Sequence, residues 1–250
     1  MFEQSILTSD INDWVYFLSF SRLNRVREAS GGGRKNKQAD QKDAEAFIQR
    51  AKDYREEAGK VKETVSKLVE SFESGTLGHE KNTEILEELM DIAPENLIMI
   101  GKAAFYHAGK GEPKKVVALA DRYFSLPSRE TGLSLSLGLL KGESLALAGE
   151  KAAAEEYLNG FYKSIRDPFY RAVIKHLLEN TSEDLLIRLA EKKPEKLVTL
   201  HTALGLWAEA ENHPERAAHH YREALGTYLD TWNEYSLALE RLTELRKARN

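Results

Sequence analysis

The longest regular pattern in the chain is an alternation of apolar positions in steps of three and four. It starts at Ala44 and passes through Phe47, Ala51, Tyr54, Ala58, Val61, Val65 and Leu68 to Phe72 without a break, the spacing of a coiled-coil seam. Helical throughout, residues 40–74 would span about 50 Å. Ser74-Gly75 and Leu77-Gly78 end the pattern, glycine being frequent just past a helix C-terminus. A shorter stretch near 82–92 carries Ile85, Leu86, Leu89 and Met90 and leads to Pro94. From there on, apolar residues recur at helical spacing near 94–108, 113–124, 131–148, 151–163, 168–179, 182–192, 195–211, 214–228 and 232–248. Pro94, Pro113, Pro168, Pro194 and Pro214 each precede one of these segments; in a first helical turn the missing N–H would have had no partner. Asp167 can cap the segment that Pro168 opens, and Pro127 stops the one that ends at Tyr123-Phe124. Strand-type alternation is scarce. Short links make successive helices antiparallel neighbours, so residues 94–250 read as four helical hairpins and a last single helix.

The first quarter differs. Residues 10–29 form a helix candidate that Ser9 or Asp10 can cap, apolar on almost every side from Trp14 to Phe20. A helix of that kind needs more than one covering surface. Three glycines and a run of cations follow, so 30–37 reads as a flexible linker. The expected organisation is an aromatic docking helix (1–29), a glycine and basic linker (30–37), a long heptad helix plus a short one (38–93) and a helical array (94–250). The seam can pair with a second copy, giving a homodimer through residues 11–72, or pack within its own chain. Alanine at three of its nine positions favours close packing within the chain.

At Leu204-Gly205-Leu206-Trp207-Ala208, followed by Ala217, Tyr221 and Ala224, the chain resembles a tetratricopeptide repeat. Gly205 and Ala217 would let two helices approach closely, with Tyr221 filling the gap beside them. Gly142, Leu145, Gly149, Ala154 and Leu158 form a weaker copy, and Ile100-Gly101, Ala104, Gly111, Val116 and Ala120 another. The resemblance covers about residues 94–230. It implies an all-α fold, a right-handed α–α superhelix of TPR-like hairpins, with the last helix capping the open end. The stripe Trp232, Tyr235, Leu239, Leu242 and Leu245 would face the array, with Arg and Lys outside it. The resemblance also implies a protein-interaction scaffold or adaptor that binds other proteins or peptide segments in a groove. Lys102, Tyr106, Glu143, Thr202 and Glu209 are the groove candidates. Trp14, Phe17 and Phe20 are the docking-helix candidates for partner binding.

Composition narrows the chemistry. A net charge of −4 argues against a globally basic nucleic-acid binder. The basic patch Arg22, Arg25, Arg27, Arg34, Lys35 and Lys37 still suits phosphate or anionic lipid, so a peripheral membrane or nucleic-acid binder using 14–37 is the rival reading. The glycine triplet lacks the lysine and hydroxyl ending of a phosphate loop. With no cysteine there is no disulfide, thiolate metal site or cysteine nucleophile. His201, His213, His219 and His220 crowd one region, but His219 and His220 point about 100° apart on a helix. They read as surface and turn histidines. No metal, cofactor or catalytic residue is therefore expected, and the chain does not read as an enzyme. No leader or membrane-length apolar run is evident, and the cytoplasm is the expected compartment.

Overall fold

The computed structural model describes residues 63, 67, 79–92, 96–127 and 131–248. The chain divides into two compact units, Met1–Pro94 and Glu95–Asn250. In the first, Glu63 and Lys67 are helical and form an exposed ion pair of 2.6 Å four residues apart, a contact that contributes a few tenths of a kcal/mol. Helix α1 (His79–Ile92) buries Ile85, Leu86 and Leu89. All nine positions of the heptad seam, the docking helix with Trp14, Phe17 and Phe20, and the basic patch lie outside the described residues.

The second unit is built from α2 (Leu97–Gly109), α3 (Pro113–Ser125), α4 (Thr131–Leu147), α5 (Lys151–Ser164), α6 (Pro168–Glu179), α7 (Glu183–Ala190), α8 (Pro194–Ala210), α9 (Pro214–Leu225) and α10 (Asn233–Lys247). Every described element is a helix. Proline opens α3, α6, α8 and α9. At α6 the Asp167 carboxylate accepts from the amides of Phe169 at 2.9 Å and Tyr170 at 3.0 Å, which satisfies two of the donors a helix start leaves open. Helix α2 starts at Leu97, and the Asn96 side chain accepts from the Met99 amide at 3.1 Å, so a side-chain cap replaces the expected proline start.

Four hairpins are present: α2 with α3, α4 with α5, α6 with α7, and α8 with α9. Their closeness depends on small residues facing large ones. A Cβ at Gly205 would stand 2.4 Å from Tyr221 Cε1, and one at Gly142 would stand 2.3 Å from Leu158 Cδ2. Both are far inside van der Waals contact, so the ring and the leucine occupy space that only glycine leaves. The approach expected of Gly205 and Tyr221 is therefore present.

The ends of the array do not stay apart. Helix α4 packs on α2 and α8, and α10 packs on both α2 and α8 as well. These four helices form a closed inner ring, with α3, α5, α6, α7 and α9 outside it. Helix α10 therefore does not cap an open end; it closes the ring against the first helix of the unit. Its inward face also differs from the stripe expected. Glu234, Leu237, Ala238 and Leu242 are buried, while Leu239 is 49 % and Trp232 40 % exposed. The reason is chemical. Glu234 and Arg241 find polar partners inside, so the inner face is mixed: of the expected stripe Leu242 is buried, Tyr235 and Leu245 are half-buried, and Trp232 and Leu239 are exposed.

Candidate functional site

The expected groove positions lie around this ring, and α10 covers most of them. Glu143 and Thr202 are buried, Glu209 is half-buried with its side chain 8 % exposed, and Lys102 and Tyr106 are half-exposed. The Thr202 hydroxyl donates to the Glu234 carbonyl at 3.2 Å. Glu209 is held by Arg241, whose Nε donates at 3.0 Å and whose Nη2 donates to the other carboxylate oxygen. The Tyr221 hydroxyl donates to Glu209 as well, at 2.5 Å. Buried, bidentate and charge-assisted, this is the strong form of an ion pair. At the other edge Lys110 Nζ meets Glu240 Oε2 at 2.7 Å. Helix α10 thus lies against the expected groove positions Thr202 and Glu209 and is tied by ion pairs to Glu209 and Lys110.

Beneath α10 lies a small polar cavity of about 10 Å³, with Phe105 from α2, Ser136 and Glu143 from α4, Thr199 and Thr202 from α8 and Glu234 from α10 in its wall. That is roughly the room one water molecule needs. Burial, with the Glu234 carboxylate nearby, pushes the Glu143 carboxyl up to about 8. Its Oε1 meets no hydrogen-bond partner among the described residues. Glu234 is raised too, mainly by burial, while its own backbone amide and the Ser136 and Thr199 hydroxyls oppose the shift. Two carboxyls with raised pKa values would suit acid–base work, but a space this small admits no substrate. The pair forms a polar core.

A second cluster sits on the outer side of α8. His201 on α8 and His220 on α9 are buried, and their Nδ1 atoms are 3.4 Å apart. The rings are stacked, with centroids 5.7 Å apart. Glu183, the first residue of α7, brings Oε1 to 3.9 Å from His220 Nδ1. One donor atom from each of the three residues lies within 4.8 Å of the others. Burial, with His201, His219 and Arg216 adding positive charge, holds His220 down to about 3. Burial likewise lowers His201, against the pull of Glu223 and Glu183. Both rings are neutral at pH 7.

The expectation of surface and turn histidines holds for His213 and His219, which are exposed, and fails for His201 and His220. The sequence reading set His219 against His220 on one helix and overlooked a pair made across two. The pair joins α8 to α9 across the hairpin, so the spacing of residues along either helix alone does not show it. Glu183, Glu234 and Arg241 were likewise not singled out. Among the described residues no helix is long and apolar enough to cross a membrane. Compared with known proteins, the sequence matches no family model and no curated protein.

Proposed function

We propose that this chain is a non-catalytic protein-interaction module, a TPR-like array of hairpins whose helix-binding groove is held in cis by α10. The observation that carries the reading is the placement of α10 across α2, α8 and α9, fixed by Arg241 to Glu209 and by Glu240 to Lys110. This is the contact a helix makes when it lies in an apolar groove: inward anchors one turn apart and charged ties at the rims. Relative burial favours α10 as the separable element. It buries Leu237, Ala238 and Leu242, whereas α8 buries Val198, Leu200, Leu204, Leu206 and Trp207 among others. At about 1.5–3 kcal/mol for each large apolar side chain, α8 is held at least twice as strongly. A partner helix with a carboxylate and an arginine seven residues apart on its inner face would compete for the same seat.

The test is binding of a labelled peptide of residues 230–248 to the full chain. Arg241→Ala in the chain loosens the resident helix, and the wild-type peptide should then bind roughly tenfold tighter or more than it binds the wild-type chain. Equal, weak binding to both folded chains would remove the groove from the account.

A further inference from the structure

We propose that Glu183, His201 and His220 hold a divalent transition-metal ion of the zinc(II) class, which ties α7 to the α8–α9 hairpin. The argument starts from the spacing. A tetrahedral centre with metal–nitrogen bonds near 2.05 Å sets neighbouring ligand atoms about 3.3 Å apart. The two Nδ1 atoms are 3.4 Å apart. Glu183 Oε1 lies 3.9 Å from His220 Nδ1 and its ligand atom within 4.8 Å of that of His201, so a shift of about an ångström brings it to the same edge lengths. Glu183 is half-buried and has the freedom to make that shift.

The donor set selects the ion. Two imidazoles and one carboxylate suit zinc, cobalt or nickel; calcium and magnesium require a shell of oxygen ligands. Three protein donors leave a fourth position for water, on the side where Glu183 meets solvent. Neutral imidazole is the form that binds metal, and burial keeps both rings in it. The charges facing the rings are mixed. Glu183 and Glu223 favour a cation, while Arg216, His176 and His219 oppose it.

With no ion, the contact is awkward. One Nδ1 must carry a proton for the other to accept, and His220 Nε2 is buried without a hydrogen-bond partner. Whichever tautomer forms, a ring nitrogen of His220 is left with an unused donor or lone pair. A cation engages both Nδ1 lone pairs at once and gives Glu183 a charged partner, while His220 Nε2 keeps a proton that meets no partner among the described residues. The feature depends on long-range packing, because the donors come from three different helices at positions 183, 201 and 220.

The full chain, stripped of metal with a chelator, is titrated with Co²⁺ alone and then with Zn²⁺. The expected result is one Co²⁺ per chain with the intense visible bands of a four-coordinate centre, bleached by one equivalent of Zn²⁺. Glu183→Gln should weaken Zn²⁺ binding roughly tenfold or more, and His201→Gln or His220→Gln should abolish it. Should either histidine variant fail to fold, Glu183→Gln, on a half-exposed side chain, and the wild-type spectrum decide alone. The absence of four-coordinate bands in the wild-type chain, or Zn²⁺ affinity unchanged by Glu183→Gln, would overturn the proposal.

Discussion

On its inner face α8 presents Thr199 and Thr202 to a cavity shared with Glu143 and Glu234; on its outer face it presents His201 to His220 and Glu183. Both clusters are polar, buried and assembled from distant parts of the chain. On the inside, the carboxyl groups are relieved by taking up protons and by hydroxyls that donate to Glu234, and the remaining space holds about one water. On the outside, three lone-pair donors converge and one of them reaches solvent. The contrast shows that burial and a shifted pKa do not make a site. Grouping of metal-type donor atoms beside a half-exposed carboxylate is what distinguishes the outer face.

The largest effect should come from the inner face. Arg241→Ala leaves Glu209 buried without its cation, a change that costs about 3 kcal/mol or more; urea unfolding would measure it, and a loss under about 1 kcal/mol would mean the pair does not anchor α10.

The two faces should then respond to pH with opposite signs. Glu143 ionises near 4.5 in the unfolded chain and near 8 in the fold. Between those values the native state holds the extra proton, so stability falls as pH rises, by an amount on the order of a few kcal/mol, and is level above about 8. His220 is held at about 3 against 6.5 unfolded, so in the metal-free chain stability is lost as pH falls from about 6.5 toward 3. Glu143→Gln should flatten the alkaline limb of a stability–pH curve and leave the acid limb in place. A curve whose limbs both survive that substitution would break the assignment.

A smaller effect tests the register that sets His201 against His220. In an exposed helix, glycine to alanine gains about 1 kcal/mol. At Gly205 the new methyl would meet the Tyr221 ring, so Gly205→Ala should instead destabilise by about 1–3 kcal/mol, and the same substitution should lower the affinity for Zn²⁺. The smallest effect belongs at the end of α10. Lys247 and Glu244 form an exposed pair of 2.7 Å, and Lys247→Ala should change thermal stability by less than about 0.5 kcal/mol.

Much of this fold was legible in the sequence because its punctuation is strong. Pro113, Pro168, Pro194 and Pro214 mark helix starts found at those positions, and Gly205 with Tyr221 marks a helix contact made as the spacing implies. Ring closure was not legible. The inner face of α10 carries Glu234 and Arg241, and a pattern search for apolar residues turns the helix toward Leu239, which faces solvent. Glu143, Thr202 and Glu209 were reached through the resemblance, but as open groove residues; Thr202 and Glu209 instead bond to a helix 32 residues farther along the chain. The histidine pair stayed hidden for a related reason. Its members are 19 residues apart, and only the hairpin's register brings them together.

The central claim, that α10 is a resident ligand of the groove rather than an inseparable wall of it, is tested most directly by native-state hydrogen exchange. The account predicts that the amides of α10 exchange through an opening that leaves α4 and α8 protected, and that Arg241→Ala speeds this opening while α8 still exchanges more slowly, through an opening of higher free energy. Exchange of α10 and α8 at one common rate, in both the wild-type chain and the variant, would contradict it.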